Sequence, residues 1–150
     1  MLYELHPVTS AEDWAHLHHI RRTVLFTPGR HSVAYDENHP DDRAVGNVPY
    51  LLLRDRHPLG VVRLDFRGET AVVRLVAIAE DEQGKGYGRK LNALIESEVR
   101  RRGVKTLFVN ARPEAVGYYE KTGWQQASWD PDELVGLAKD CIQMTKSLSR

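Results

Sequence analysis

The most regular pattern of hydrophobic and polar residues in this chain runs from Thr70 to Arg102. It begins with a mostly apolar, β-branched run, residues 71–79, which predicts a buried strand. Further on, apolar residues recur at the spacing of one face of a helix: Leu91, Leu94, Ile95 and Val99. A short acidic and polar turn and three alternating glycines separate the two runs. The pattern therefore predicts a strand, a glycine-rich turn and a helix.

This arrangement is suited to anion binding. Backbone N–H groups at a helix start have no partner within the helix, and the helix dipole adds partial positive charge there. Glycines allow a phosphate group to approach the backbone closely. The chain lacks the P-loop pattern G-x-x-x-x-G-K-[ST], and its spacing G-x-G-x-G, followed by a strand that ends at Asn110, differs from the dinucleotide fingerprint. The glycine spacing therefore counts against a nucleotide-binding regulator that would take ATP or NAD.

The rest of the chain shows a mixed pattern of strands and helices. Alternating or apolar runs predict strands at residues 1–8, 50–54, 59–67, 106–109, 124–129 and 137–144. A first helix is predicted from a capping box, Thr9 with Glu12, to about Phe26, and a short helix begins at Pro113. The strand–helix–strand order around the glycines predicts a parallel pair, while the two strands before it predict an antiparallel hairpin. These features predict an α/β protein with a mixed sheet.

Residues 27–48 form the least regular part of the pattern. Turn-forming residues are dense in this segment, and it lacks the ligand spacing of a calcium-binding loop. A loop of this length in a compact domain is usually functional, so we interpret it as a lid or wall on the substrate side; the alternative is a plain surface connection. The histidines of the first helix are interpreted as surface residues rather than metal ligands: His16, His18 and His19.

Composition narrows the classes of function. The 150 residues are 41% hydrophobic and 28% charged, which is typical of one globular domain. Lys+Arg and Asp+Glu number 21 each, and this balance argues against nucleic acid as the main partner. The single cysteine, Cys141, is interpreted as a small core or half-buried residue in a strand, outside any disulfide framework. Because the sequence has no membrane-span run and no signal-peptide layout, we expect a cytoplasmic protein without membrane contact.

Two short motifs give the chain a family resemblance. The first, Gln83-x-x-Gly86-x-Gly88 after an apolar strand, is similar to the coenzyme A signature [QR]-x-x-G-x-[GA] of the GNAT superfamily of N-acetyltransferases. The second, residues 115–124, is similar to the family's segment A-x-x-[FY]-Y-x-x-x-G-[FW], and the two motifs occur in the family's order. The resemblance implies the GNAT acyltransferase fold in a single domain over residues 1–150. That fold is a central mixed sheet of six to seven strands flanked by helices.

The resemblance also implies a site for acetyl-CoA or coenzyme A as co-substrate, without a metal. In this family the central strand binds the pantetheine arm through its backbone, here at Leu75, Val76, Ala77 and Ile78. Main-chain amides of the glycine-rich turn would hold the pyrophosphate: Gln83, Gly84, Lys85, Gly86, Tyr87, Gly88 and Arg89. The ligand would lie where the two parallel strands separate at their C-terminal ends. An N–H of Val76 or Ala77 would polarise the thioester carbonyl.

The second motif implies a general acid. Its tyrosine, here Tyr119, would protonate the departing thiolate of coenzyme A, while Tyr118 would pack. The alternative for Tyr119 is a packed aromatic residue whose hydroxyl bonds a backbone carbonyl. Arg112 stands where many members have an asparagine that contacts the cofactor, so Asn110, two residues earlier, is the remaining candidate for the cofactor-binding position.

The general base is left open at this stage. Many family members carry a glutamate on the central strand, whereas residues 70–79 contain no acid and have Arg74 as their charged member. Glu69, Asp65 or the acids of residues 36–42 could replace it. Alternatively, water could carry away the proton of the substrate amine.

The implied function is transfer of the acetyl group of acetyl-CoA to a primary amine of a small molecule or peptide, by direct attack in a ternary complex. The alternative is a non-catalytic acyl-CoA-binding sensor, and the tyrosine at the acid position favours the enzyme. Four arginines would favour an anionic acceptor if they faced the cleft: Arg21, Arg22, Arg63 and Arg74. Pairing of these arginines with Asp65 and Glu69 across strands is the preferred interpretation. Homodimer formation through sheet edges or the closing strands is compatible with the pattern.

Overall fold

A computed structural model describes residues 2–26 and 34–148 of the chain, so Met1 and residues 27–33 and 149–150 lie outside the described part. Its strands are β1 (Tyr3–Pro7), β2 (Asn47–Arg54), β3 (His57–Arg67), β4 (Thr70–Ile78), β5 (Thr106–Ala111), β6 (Gln125–Gln126) and β7 (Ile142–Ser147). Its α-helices are α1 (Ala11–Ile20), α2 (Tyr87–Arg101) and α3 (Val116–Lys121). A π-helical turn, Arg21–Leu25, continues α1, and short 3₁₀ turns include Pro40–Arg43 and Pro131–Glu133.

The seven strands form one mixed sheet in the order β1-β2-β3-β4-β5-β7-β6. β4 and β5 run parallel, and every other neighbouring pair is antiparallel. A parallel pair needs a crossover connection, which α2 supplies between β4 and β5. The predicted fold class, a mixed sheet of six to seven strands flanked by helices, is confirmed.

Each face of the sheet carries its own apolar cluster. On one face α2 buries Leu91, Ile95 and Val99 against the sheet, as the spacing predicted. Full burial of such side chains contributes roughly 1.5–3 kcal/mol each. On the other face α1 and the π-helical turn pack against β2, β3 and β4, with Leu17 and Ile20 in the core. The central strands are therefore covered on both sides, which explains their nearly continuous apolar runs.

Two predictions, the N-cap of the first helix and the length of the β2–β3 turn, were wrong. The N-cap of α1 is Ser10 rather than Thr9, because Ser10 and Asp13 form the reciprocal capping box. The β2–β3 connection is the two-residue turn Asp55–Arg56, shorter than the predicted residues 55–58, and both residues have positive φ, 49° and 72°. Such a turn matches the right-handed twist of a hairpin, so the strands extend to its edges.

The two closing strands are shorter than predicted. The chain leaves the sheet after Gln126 because the side chain of Gln143 accepts from the backbone N–H groups of Trp129 and Asp130 in place of a strand partner. Residues 136–138 form a 3₁₀ turn, so β7 begins at Ile142. Cys141 therefore lies just before β7, half-buried, and the prediction that it belongs to a strand was wrong.

Candidate active site

The central feature of the site is the point where β4 and β5 stop pairing. Their parallel register ends at Val73 and Val109. Immediately afterwards Leu75 has a φ of 54°, and the β3–β4 register shifts opposite it. A residue with positive φ at a register shift is a β-bulge, which bends the strand. The strands consequently separate at their C-terminal ends, where ligands bind in sheets of this kind.

A cavity of about 810 Å³ occupies this gap. It is lined by residues 73–78 of β4, by residues 109–112 at the end of β5, and by Tyr118 and Tyr119 of α3. Ala34, Tyr35, Asp36, His39, Asp41 and Asp42 form another wall of the cavity. The described part of the predicted lid segment is thus a cavity wall, while residues 27–33 lie outside the described residues.

The glycine-rich turn lies between β4 and α2. Gly84 and Gly86 have φ values of 79° and 87°, a conformation that disfavours side chains with a Cβ. Gly86 is the N-cap of α2 and provides no side-chain capping bond, so the first-turn N–H groups remain available to a ligand. Gln83 donates from Nε2 to the carbonyl of Ile78 at 3.0 Å, which ties the turn to the end of β4.

The predicted members of this turn contribute to the site unequally. Gln83 and Gly88 line the cavity, whereas the lining does not include the other five. The Lys85 ammonium lies 3.3 Å from Glu82. The Tyr87 hydroxyl bonds Arg54, so both side chains are directed away from the cavity. An ideal Cβ built on Gly84, Gly86 or Gly88 meets no atom within 4 Å, so the turn presents open space along its backbone.

The backbone of β4 presents one edge to the gap. The N–H of Ala79 donates to the carbonyl of Leu59, and the carbonyl of Ala77 lies against Gly60, where an added Cβ would be 2.8 Å away. Because N–H groups alternate along a strand, the Ala77 N–H also faces β3. The Val76 N–H therefore faces the opposite edge, toward the cavity. This alternation favours Val76 over Ala77 as the donor to a thioester carbonyl.

Tyr119 stands in the cavity wall between two aromatic rings. Tyr118 lies edge-on at 5.9 Å and Trp124 at 5.3 Å between ring centroids. Within residues 2–26 and 34–148 no hydrogen bond to the Tyr119 hydroxyl is found, in contrast to Tyr118, whose hydroxyl accepts from Asn92 at 2.6 Å. Burial raises the pKa of Tyr119 to about 12. The hydroxyl is therefore a protonated donor with no backbone carbonyl partner in the described chain.

Asn110 lines the cavity but is held by other side chains. Its Nδ2 donates to Glu133 at 3.1 Å, and its Oδ1 accepts from Gln143 at 2.9 Å. Glu133 was not found from the sequence, since the loop before β7 carries no recognisable motif. Its only signal was that it is an acid in the loop between the two predicted closing strands. Hydrogen bonds from Arg74 lower its pKa against the opposing effect of burial.

Two of the sequence-based candidates for the general base, Asp65 and Glu69, are engaged or remote. Asp65 accepts from Arg63 at 2.8 Å and from Arg74 at 2.6 Å. Glu69 is exposed near Lys105, at the end of β4 opposite the gap. Pairing with Asp65 across strands is confirmed for Arg74 alone, because Arg63 binds Asp65 within β3. It was wrong for Arg21 and Arg22, which bind Asp42 and Glu37, and the pairing with Glu69 was wrong because Glu69 is exposed beside Lys105.

Two groups beside the cavity, Asp42 and His18, are buried. Asp42 lies between Arg21, at 2.8 Å, and Arg63, at 3.3 Å. Burial pushes its pKa upward, but the hydrogen bonds and charges of these two arginines outweigh that effect and lower it. His18, predicted on the helix surface, is buried and bonds the hydroxyl of Tyr35, because the turn of α1 carries it under the cavity wall.

Within the described ranges, no three His, Cys, Asp or Glu side chains are grouped so that they could hold a metal ion. Among the described helices, none has both the length and the apolar character needed to cross a bilayer.

Comparison with known proteins identifies the class of this site. The model of the acetyltransferase (GNAT) domain matches residues 42–146. YyaT, an uncharacterised protein of Bacillus subtilis (strain 168), is 25% identical over 144 residues, 95% of each chain. The ribosomal-protein-S18-alanine N-acetyltransferase of Escherichia coli has a TM-score of 0.76 at 20% identity, covering 99% of this chain and 96% of that one. An aminoglycoside 6'-N-acetyltransferase complexed with coenzyme A has a TM-score of 0.76 at 14% identity, covering 100% and 98%.

The match over residues 42–146 places this site in the class of acyltransferases. The chain belongs to the GNAT acetyltransferase family, and it is an acetyltransferase. Members of this family transfer acyl groups from acyl-CoA to amines.

Proposed function

We propose that this protein transfers the acetyl group of acetyl-CoA to a primary amine of a small molecule or peptide by direct attack in a ternary complex. One observation carries the proposal. The bulge at Leu75 opens a single cavity lined by the exposed backbone edge of β4, by Gly88 of the glycine-rich turn and by Tyr119. The groups to which we assign stabilisation of the thioester carbonyl, binding of the pyrophosphate and donation of the proton therefore line one cavity.

The geometry supports separate roles for these groups. The pyrophosphate of acetyl-CoA would be held by the N–H groups at the start of α2, where the helix dipole favours negative charge. The pantetheine arm would pair with the edge of β4 that β5 leaves free. As the amine nitrogen attacks the thioester carbon, the carbonyl oxygen gains charge, and the Val76 N–H would stabilise it.

Collapse of the tetrahedral centre breaks the carbon–sulfur bond. The thiolate leaves with the bonding electron pair and would take the proton of the Tyr119 hydroxyl, which becomes a phenolate until solvent returns the proton. The raised pKa keeps this donor protonated over the whole working range of pH. Tyr118 is a poorer candidate because its hydroxyl already accepts from Asn92.

Deprotonation of the acceptor is assigned to water. Two of the carboxylates lining the cavity, Asp42 and Glu133, have pKa values lowered by their arginine partners, so they are weak bases. Asp36 and Asp41 line the cavity from an exposed segment in contact with solvent. We expect the free amine to be the reactive species, so the rate should increase with pH up to the pKa of the amine.

A ligand titration tests the proposal and its alternatives. The melting temperature is measured with acetyl-CoA, coenzyme A, ATP and NAD, since a ligand that binds the native state raises it. We expect an increase with acetyl-CoA and coenzyme A alone, followed by thiol release from acetyl-CoA when primary amines are added. Binding without thiol release for any amine would favour the sensor alternative. Absence of an increase with millimolar acetyl-CoA would contradict the proposed function.

A further inference from the structure

Arg21 is the most completely buried charged side chain of the described residues, with 1% of its surface exposed. It lies at the start of the π-helical turn and lines the cavity. Its Nη1 donates to Asp42 at 2.8 Å. Its Nε and Nη2 are buried and have no hydrogen-bond partner in the described chain. A buried donor without a partner is costly, so a guanidinium in this state calls for an acceptor.

The two nitrogens of Arg21 without a partner, Nε and Nη2, can bind one carboxylate together. Nε–H and one Nη2–H of a guanidinium point the same way and form a fork that fits the two oxygens of a carboxylate. The neighbouring Arg63 binds a carboxylate in this way. Its Nε and Nη2 donate to the two oxygens of Asp65 at 2.8 and 3.1 Å, while its Nη1 lies 3.3 Å from Asp42. Arg21 and Arg63 thus share Asp42 in the same way, but the fork of Arg21 is empty.

The neighbouring carboxylates are already engaged. Asp42 is shared by Arg21 and Arg63, and Asp65 is shared by Arg63 and Arg74. Glu133 binds the outer nitrogens of Arg74. Each of these three acids therefore binds other arginine nitrogens, and none of them bonds the Nε and Nη2 of Arg21. The acceptor for these two nitrogens must be a different group.

The position of Arg21 relates its fork to the reaction centre. The π-helical turn that begins at Arg21 packs through Val24 and Leu25 against the same apolar cluster as Leu75 and Ala77. That cluster includes the bulge of β4, where the thioester would lie under the proposed function. A group bound by Arg21 would therefore lie on the acceptor side of the cavity. Both nitrogens are covered in the structure, and Tyr35, whose hydroxyl lies 3.4 Å from Nη1, forms part of the adjacent wall.

We propose that the Nε and Nη2 fork of Arg21 binds the carboxylate of the acceptor, so that the substrates are free amino acids or related amino-carboxylates. This inference rests on the proposed function, because it assigns the acceptor class of the same site. Because both nitrogens are buried, binding requires a local movement that exposes the fork. The carboxylate then satisfies the two buried donors and holds the amine in the cavity.

The first test compares matched acceptors. Acetyl-CoA-dependent thiol release is measured with the twenty L-amino acids, β-alanine and 4-aminobutyrate, and with the corresponding α-amides and decarboxylated amines. Loss of a charge-assisted bidentate contact corresponds to roughly 10- to 100-fold in kcat/KM, so the best amino acid should exceed its own amide and amine by that factor.

Arg21→Lys is the decisive variant, because it keeps a positive charge beside Asp42 and lacks the fork. We expect its KM for the best amino acid to increase by roughly 10- to 100-fold, while the KM for acetyl-CoA and for the decarboxylated amine stays within about twofold. Arg22→Lys is the matched control, since Arg22 is half-exposed and bonds Glu37 at the surface. Its kinetics should remain those of the natural protein.

If turnover is slow or Arg21→Lys fails to fold, a binding measurement tests whether Arg21 binds the carboxylate. In protein labelled with ¹⁵N-arginine and saturated with coenzyme A, the Nε–H resonance of Arg21 is identified by comparison with Arg21→Lys or Arg21→Gln. It should shift with amino acids and remain in place with the matching amines. No shift across the whole panel would overturn the inference.

The outcomes separate the two proposals. Acetyl-CoA binding with equal turnover of amino acids and their decarboxylated amines would overturn the role of Arg21 and leave the proposed function intact. Failure of acetyl-CoA to bind at all would contradict the proposed function itself.

Discussion

Arg74 of β4 and Glu133 of the loop before β7 form a two-point ion pair, with Nη1–Oε1 and Nη2–Oε2 distances of 2.8 Å each. The Nε of Arg74 also donates to Asp65 at 2.6 Å. Arg74 therefore has all three of its nitrogens bound, and these bonds join β4, β3 and a loop 59 residues further along the chain. This pair positions the loop that closes one side of the cavity.

Replacing Glu133 tests that positioning role. Glu133→Ala should lower the free energy of unfolding by about 1–3 kcal/mol, because Arg74 and Asn110 lose partners in a partly buried setting. Urea unfolding measures the change. Asp132→Ala, an exposed neighbour in the same 3₁₀ turn, is the control and should change stability by less than about 0.5 kcal/mol. Equal effects of the two substitutions would contradict the role of the pair.

Tyr119→Phe tests the general acid. The substitution removes the donor hydroxyl and keeps the ring packed between Tyr118 and Trp124. We expect kcat to fall by about 10²- to 10⁴-fold, the usual contribution of general acid catalysis, with acetyl-CoA binding unchanged by calorimetry. Tyr118→Phe is the matched control and should retain most of the activity. A Tyr119→Phe variant with near-natural kcat would exclude the hydroxyl as the acid.

The pH profile gives an independent test of the same residue. The pKa of Tyr119 is raised to about 12, so the phenol stays protonated at pH values where an ordinary tyrosine ionises near 10. An acid with a raised pKa loses its proton only as the pH rises through that value. With a saturating amine we therefore expect no alkaline loss of kcat up to pH 10. An alkaline limb between pH 8 and pH 10 would indicate a different proton donor.

The glycine-rich turn allows stability and binding to be separated. Gly88 has no positive φ, and an added Cβ would meet no atom within 4 Å. Gly88→Ala should therefore raise helix stability by up to about 1 kcal/mol. At the same time the methyl group would stand where the pyrophosphate approaches, so the Kd for coenzyme A should increase by roughly tenfold.

Gly117→Ala is the matched control for this experiment. Gly117 occupies the same second position in α3 and also has open space around an added Cβ. Its substitution should affect stability in the same direction and leave coenzyme A affinity unchanged. If Gly88→Ala bound coenzyme A as tightly as Gly117→Ala, the phosphate site would have to lie elsewhere.

The buried pairs of Asp42 predict how stability depends on pH. Its pKa is lower in the folded protein than in the unfolded chain, so its contribution is present above the unfolded value, near 3.8, and is lost as the pH falls through the lower folded value. Asp42→Asn should cost about 3–5 kcal/mol at pH 7, because it leaves Arg21 and Arg63 buried without this carboxylate. Urea unfolding from pH 7 to pH 3 should show the difference between the two proteins shrinking below pH 4. A difference independent of pH would contradict an ionised Asp42.

Much of the fold could be predicted because its signals are local. The apolar spacing of α2, the alternation in the β2–β3 hairpin and the glycine that ends α2, Gly103, depend only on near neighbours in sequence. Boundaries were less predictable. β6 ends early, and the side chain of Gln143 satisfies the backbone N–H groups of Trp129 and Asp130 in the loop that follows, which no local pattern reports.

In the candidate site, too, residues in local motifs were predicted, whereas residues placed by tertiary packing were missed. The glycine-rich turn and Tyr119 were predicted from short motifs, since each motif occupies one contiguous segment. Glu133 was missed, because its place in the cavity depends on the packing of the loop before β7 against β4 and β5. The buried state of His18 was missed for a similar reason, since periodicity in α1 does not show that the segment around Tyr35 covers it.

By itself the sequence determined the strand–turn–helix unit, the mixed sheet and the resemblance to GNAT acetyltransferases, because spacing and short motifs encode local conformation. Only the tertiary structure decided which charges meet. Arg21 and Arg63 share Asp42, yet the fork of Arg63 is filled by Asp65 and that of Arg21 has no partner among residues 2–26 and 34–148. Strand order and burial set these partners, since the energy of an ion pair depends on distance and dielectric environment rather than on separation along the chain.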